Sequence, residues 1–349
     1  MTISIIIPVY NAEGYIEKML ESILNQERPE GLSMEVVLVE NGSTDKSPSI
    51  CDEYAEDVDF VSVWHCGKIG AFGARVEGMR KSKGQWLIFA DADDLMAKGA
   101  IAGIYETISF YEKEGKAPDI VLYNAATVAD PHKKMFDFPF EEGRLYASSE
   151  KEAFYEVMCI GDSLNAMWNK CVSRRLAEAS QLQPGHIMNH GEDLLQTAEF
   201  LDRAESIAYV DKIFYLYREG SQGLTGAFHE EFMTNQIEAW EAFDRYAFNW
   251  TGDRFSDIID SRKALTCSIG VESLIYSDLS LKMKRKKLED MVELSFYQKY
   301  ATKDLPKWAP DADVFVHGLQ CAEDPVGELM KSAGKHDFKS RVKSLIGRK

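Results

Sequence analysis

Three carboxylates stand together at Asp91-Ala-Asp93-Asp94, directly after the apolar run at residues 86–90. Side chains two apart in an extended segment point the same way, so Asp91 and Asp93 can share a face while Asp94 begins the turn. Carboxylates this close repel one another unless a cation or solvent relieves them. One answer is a hard divalent ion, Mg²⁺ or Mn²⁺, which binds through one or two carboxylates plus substrate phosphates. The other is a cap cluster for the helix that follows. Three more polar or Gly-containing segments also follow apolar runs. They are Pro8-Val-Tyr-Asn11, Glu40-Asn-Gly-Ser-Thr-Asp45 and His65-Cys-Gly-Lys-Ile-Gly70. In an open α/β sheet, ligands bind outside the carboxyl ends of the strands. Four such ends in succession describe one crevice assembled from four loops.

The elements that must position these loops alternate through the first 125 residues. Residues 3–9, 35–39, 60–64, 85–90 and 119–123 read as short buried strands. Between them, Ile16, Met19, Leu20, Ile23 and Leu24 recur at helical spacing after Asn11, a suitable N-cap. Asp45 can cap a segment around residues 49–55, and residues 72–81 and 97–112 also read as helices. Strands alternating with helices imply parallel β-α-β units with helices on both faces of the sheet. Residues 126–143 read as loops or short hairpins, 150–159 and 194–201 as helices, and 207–210 and 213–217 as two short strands. Residues 228–246, 257–276 and 282–300 form a run of amphipathic helices. The expected division is 1–225, with halves 1–125 and 126–225, followed by a helical region at 226–349.

Composition excludes several classes. Hydrophobic residues make up 45% and charged residues 28% of the 349, the profile of an ordinary globular protein. No apolar run approaches the roughly 20 residues of a membrane helix. The N-terminal run has no basic flank and meets Pro8 at once, so it reads as a strand and not a signal peptide. With 40 basic and 57 acidic side chains the formal charge is −17, which argues against nucleic-acid partners. Six scattered cysteines without a C-x-x-C pair suit reduced thiols in a cytoplasmic protein.

Four ordered motifs carry a resemblance. Ile5-Ile-Ile-Pro-Val-Tyr-Asn11, Val39-Glu-Asn-Gly-Ser-Thr-Asp45, Ala74-Arg75 with Gly78, and Phe89-Ala-Asp-Ala-Asp-Asp94 are similar to the family 2 glycosyltransferases. Trp168-Asn-Lys170, His190-Gly-Glu-Asp-Leu-Leu195 and Phe214-Tyr-Leu-Tyr-Arg218 extend the likeness to about residue 225. The resemblance implies a GT-A fold, an α/β doubly wound and mostly parallel sheet. It implies inverting transfer of a sugar from a nucleotide-diphosphate donor, a UDP-sugar first, to a glycan or lipid-linked acceptor in cell-surface polysaccharide synthesis. Pro8, Tyr10 and Asn11 would lie along the nucleotide, with Glu40 and Asn41 at the base and ribose. Arg75 would sit near the nucleotide or its phosphates. Asp91, Ala92 and Asp93 resemble the D-x-D motif, with Asp91 and Asp93 as ligands of Mn²⁺ or Mg²⁺. Asp193 occupies the position of the catalytic base, with Glu192 as the alternative.

The chemistry of the residues agrees. Leaving-group charge needs a cation or an Arg, and the acceptor hydroxyl needs a carboxylate base. Gly191 precedes a helix whose N-terminus would present Asp193. Lys68 suits either a phosphate or solvent, and Trp168 either a sugar ring or the core. His190 adjoins the Glu-Asp pair, Arg218 could reach the site from a late strand, and with Trp168 they are expected on the acceptor side. The family usually carries Asp where this chain has Asn41. An Asn accepts through its oxygen but also offers two donors, so the nucleotide base stays open. A silent carbohydrate-binding protein and a sugar nucleotidyltransferase are the competing readings. Finally, residues 331–349 carry seven Lys or Arg against one Asp. Phe338, Val342, Leu345 and Ile346 would form one stripe of a helix there, able to lie on the inner face of a membrane.

Overall fold

The computed structural model describes residues 1–180, 187–220 and 228–346, with side chains as far as Asp337. The stripe expected at Phe338, Val342, Leu345 and Ile346 lies outside the described side chains. The chain divides into two compact units, residues 1–158 with 162–223, and residues 159–161 with 224–349.

The first unit alternates strands and helices: β1 (Thr2–Val9), α1 (Ile16–Leu24), β2 (Ser33–Glu40), α2 (Ser47–Asp57), β3 (Val61–His65), α3 (Gly70–Lys81) and β4 (Trp86–Phe89). Then come β5 (Leu95–Met96), α4 (Ala100–Lys113), β6 (Ile120–Thr127), β7 (Leu145–Ala147), α5 (Glu152–Ile160), β8 (Lys170–Ser173), α6 (Arg174–Glu178), α7 (Glu192–Arg203) and β9 (Ser206–Tyr217). The sheet order is β3-β2-β1-β4-β8-β6-β9-β5, with β7 also on β9. From β1 the chain builds outward through β2 and β3. It then returns to lay β4 on the other side of β1. The strand order therefore reverses at β1/β4, and the crevice of a doubly wound sheet opens there. The pairing of Ile6 with Phe89 sets the Pro8–Asn11 loop beside the Asp91–Asp94 turn. Ile16, Met19, Leu20 and Ile23 bury one stripe of α1, as their spacing requires.

Several expectations are corrected. Asn11 caps no helix: it sits at φ 50° and its Oδ1 accepts from the Thr44 N–H at 2.8 Å, while α1 begins at Ile16. A short polar side chain tolerates that left-handed conformation and satisfies a neighbouring loop. The two strands expected at 207–210 and 213–217 are one strand, β9. Its register against β6 shifts between Tyr123 and Ala125, which absorbs the polar Asp211-Lys212 pair. β5, β7 and β8 run against the other six strands. At two to four residues each they are too short for a hydrophobic period to reveal.

The second unit is helical: α8 (Phe232–Thr251), α9 (Ser256–Ile275), α10 (Leu281–Val292), α11 (Ser295–Tyr300), α12 (Asp311–Gln320) and α13 (Pro325–Ile346). The single helix expected over 282–300 breaks at Leu294, whose backbone is extended. α9 is buried on most of its faces and includes Arg262 and Lys263. The Lys263 ammonium meets Asp244 at 2.7 Å, and that of Lys284 meets Asp337 at 2.8 Å, so these interior cations are paired. No described helix is long and apolar enough to cross a membrane.

Candidate active site

The loops at the carboxyl ends of β1, β2 and β3 are tied to one another before any ligand arrives. Asn11 N–H donates to Ser43 Oγ at 3.0 Å, Ala12 N–H to Ser47 Oγ at 2.8 Å, and Glu13 N–H to Asp45 Oδ2 at 3.0 Å. Asp45 also accepts from the Ser47 N–H at the start of α2. Glu40 and Asn41 are buried. The Glu40 carboxylate accepts from Ser43 N–H at 2.5 Å and faces His65 Nδ1 at 3.5 Å. Asp52 holds the other His65 nitrogen at 2.8 Å, and this hydrogen bond pushes the imidazole pKa upward. Asn41 Oδ1 accepts from the Ile69 N–H at 2.8 Å. A backbone N–H can only donate, so the amide's oxygen is committed to α3 and its NH₂ faces elsewhere. Exposed Lys68 lies with its ammonium 4.9 Å from the centre of the Tyr10 ring. Pro8, Tyr10, Asn11, Glu40, Asn41 and Lys68 thus meet around one side of the crevice.

The acidic turn forms the other side. Asp91 and Asp93 are half-buried, whereas Ala92 and Asp94 point inward. Asp91 N–H donates to Tyr215 Oη at 2.9 Å, and Asp94 Oδ1 accepts from Arg218 N–H at 2.7 Å. The Arg218 guanidinium donates through Nε to the Asp93 carbonyl at 2.7 Å and lies 5.5 Å from the Tyr15 ring. The end of β9 therefore brings Arg218 against the acidic turn itself. Trp168 is buried and stacked on Tyr215 at 4.8 Å, with Tyr217 and Phe136 near it, so its ring lies in the core.

Arg75 joins this turn to the start of α7. Its side chain is 4% exposed. Nη2 meets Asp91 Oδ1 at 3.2 Å, and Nη1 meets Asp193 Oδ1 at 2.5 Å, Glu192 Oε1 at 3.4 Å and Gln196 Oε1 at 3.5 Å. α3 delivers it because Gly78 lets the helix approach the sheet: a Cβ there would stand 2.3 Å from Ile6 Cγ2. Gly191, at φ 79°, turns the chain into α7 and puts Glu192 and Asp193 in its first turn. The Asp193 side chain is 29% exposed against 11% for Glu192. His190, just before the turn, is buried. The resemblance sets Arg75 near the nucleotide or its phosphates, and in the structure three carboxylates surround it. Gln196 and Asn189 were missed. Gln196 alone carried a signal, being one helical turn beyond Glu192.

The cluster carries surplus negative charge. Burial, and then the charge of Asp91, pushes the Asp94 carboxyl up to about 8. Burial, and then Asp193, pushes Glu192 up to about 7. Asp91 rises to about 6 because burial and its acidic neighbours outweigh the pull of Arg75. Asp94 Oδ2 is buried with no hydrogen-bond partner among the described residues. Hard oxygen donors, too much negative charge and an unsatisfied carboxylate oxygen are a set that a divalent cation fits.

Comparison with known proteins bears on this geometry. Residues 4–172 match the model of the family described as glycosyl transferase family 2. Glycosyltransferase GlyA of Streptococcus pneumoniae is 26% identical over 245 residues, covering 68% of this chain and 33% of its own. The minor teichoic acid biosynthesis protein GgaA of Bacillus subtilis is 30% identical over 107 residues, 30% of this chain and 24% of that one. The chain thus spans about a third and a quarter of these two relatives. Among solved structures, residues 1–349 of S. aureus TarS with UDP-GlcNAc superpose with a TM-score of 0.56 at 16% identity, over 98% of this chain and 92% of that one. A mixed α/β sheet flanked by helices and followed by a helical region is the GT-A arrangement that the sequence led us to expect.

Proposed function

From the match of residues 4–172 to the glycosyl transferase family 2 model, we propose that the chain moves a sugar, with inversion, from a nucleotide-diphosphate donor to a hydroxyl of a glycan or lipid-linked acceptor. The observation that supports this most is Arg75 joining Asp91, at the end of β4, to Asp193, at the start of α7. With Asp91 taken as the diphosphate-side carboxylate and Asp193 as the base, the two lie within one side chain's reach of each other, which suits a single displacement.

The nucleotide lies between the β1 and β2 loops, with Tyr10 over the base and Glu40 and Asn41 beneath it. A UDP-sugar is the first choice of donor, since TarS was solved with one. Asp91 and Asp93 would hold Mn²⁺ or Mg²⁺, which would neutralise charge on the departing diphosphate. Arg218, whose Nε donates to the Asp93 carbonyl, would add its positive charge beside the same diphosphate. Asp193 accepts the proton of the attacking hydroxyl. Its ion pair with Arg75 fixes its orientation, and its greater exposure favours it over Glu192. A teichoic acid relative and the basic segment at 331–349 support cell-surface polysaccharide synthesis at the inner, cytoplasmic face of the membrane.

The test is turnover of UDP-GlcNAc and other nucleotide sugars, to acceptor or to water, with Mn²⁺ and with excess chelator. Asp193→Asn should lower transfer roughly 10²–10⁴-fold, the range for general base catalysis, with UDP affinity little changed. Undiminished turnover in chelator removes the ion from the mechanism. An active Asp193→Asn beside a crippled Glu192→Gln moves the base by one residue.

A further inference from the structure

We propose that Arg75 is a positioning residue, which holds the base Asp193 in register with the acidic turn and does not bind the donor's phosphates. The inference rests on the assignment of Asp193 as base. A cation beside a diphosphate site is ordinarily taken for a phosphate ligand. Here its side chain is 4% exposed, and both terminal nitrogens are spent on protein oxygens from two separate elements. Its Nε is buried with no partner among the described residues, so that edge of the guanidinium also faces protein.

α3 is tied to the segment before α7 at a second point. At the start of α3, Ala71 N–H donates to Asn189 Oδ1 at 3.1 Å and Phe72 N–H to the Met188 carbonyl at 3.3 Å. Two residues before Ala71, Ile69 N–H is held by Asn41. α3 therefore links the nucleotide loop, the acidic turn and the segment leading into α7, and Arg75 is its last bond before the base. A planar fork suits Asp91 and Asp193 together, because its arms diverge to carboxylates on different elements. A lysine presents its three donors from a single nitrogen, so it meets the two carboxylates in a poorer geometry.

The experiment uses the full chain as wild type, Arg75→Lys, Arg75→Met, Asp193→Asn and Arg75→Met/Asp193→Asn. Each is first checked for folding by urea denaturation; Arg75→Lys keeps a cation should Arg75→Met fail to fold. UDP with Mn²⁺ is the binding probe. Positioning predicts a Kd within about threefold of wild type in both Arg75 variants. It predicts kcat lower by roughly tenfold in Arg75→Lys and 10² in Arg75→Met, the scale of a misplaced catalytic group. The double variant should be no slower than Asp193→Asn, since two residues acting as one unit are not additive. A Kd raised tenfold or more in Arg75→Lys makes Arg75 a phosphate ligand and overturns the proposal, as do multiplicative losses in the double variant. If wild type turns over no nucleotide sugar, the transferase reading fails and the tether is still decided. Strict additivity of the unfolding midpoints of Arg75→Met and Asp193→Asn would refute it, and non-additivity with an unchanged UDP Kd would support it.

Discussion

Gly70→Ala tests how far the start of α3 governs the site. Gly70 sits at φ 79°, where an L-residue costs roughly 1–2 kcal/mol. A Cβ would also meet Ile187 Cγ2 at 2.9 Å and the Met188 carbonyl and Asn189 Oδ1 at 3.0 Å. These neighbours must give way, and the Ala71–Asn189 hydrogen bond, worth about 1 kcal/mol, is the first to be lost. The less flexible unfolded chain returns roughly 0.4–1 kcal/mol. The net cost is about 1–2.6 kcal/mol. Gly99→Ala is the matched control: it has the same φ of 79° but nothing within 4 Å of its Cβ, so it bears only the backbone strain, about 1 kcal/mol or less. Urea denaturation at constant m separates them, since the hydrogen bond of about 1 kcal/mol by which they differ moves the midpoint by roughly 0.5 M at an m of about 2 kcal/mol/M. Gly70→Ala should also lower kcat more than Gly99→Ala, because Asn189 leads into the helix bearing Asp193. Equal midpoints in the two variants, or a Gly70→Ala midpoint indistinguishable from wild type, would refute the reasoning.

Two further outcomes follow from the second unit. Glu272 on α9 shares a hydrogen bond with buried Asp313 on α12, and burial followed by that partner raises the Glu272 carboxyl to about 7. The folded state then holds a proton that the unfolded chain has released above about pH 4.5, so stability falls as pH rises from there through 7. The loss should be on the order of 2 kcal/mol, discounted for partial exposure, and Glu272→Gln should abolish it. Urea midpoints at pH 5 and pH 8 check this, and parallel pH dependences in variant and wild type would exclude the pair as the cause. For the basic tail, deletion should begin at residue 338, because Ala333 is buried and Asp337 pairs with Lys284. The full chain should sediment with anionic vesicles at low salt, at about 1 kcal/mol for each basic residue near the surface, and the shortened one should not. Equal sedimentation would mean that the tail is no anchor.

The sequence by itself determined the alternation of strands and helices, the fold class and the four loops of the crevice. Those features are written in local patterns: a buried strand is a short apolar run, and a helix is a stripe at a period of 3.6. Asp91 and Asp93 were legible because strand, turn and carboxylates are consecutive. Tertiary structure decided the rest. Asn11 looked like a cap but spends its side chain on a loop 33 residues away. β8 lies between β4 and β6, too short to show a period and placed only by its partners. Arg75 meets Asp91 and Asp193 across 16 and 118 positions of chain, a pairing that no spacing encodes. It exists because α3, packed close on β1 at Gly78, and α7, turned at Gly191, converge where the strand order reverses. Which carboxylate a buried cation holds is set by that convergence, since its charge must be matched by whatever groups the packed chain brings within reach.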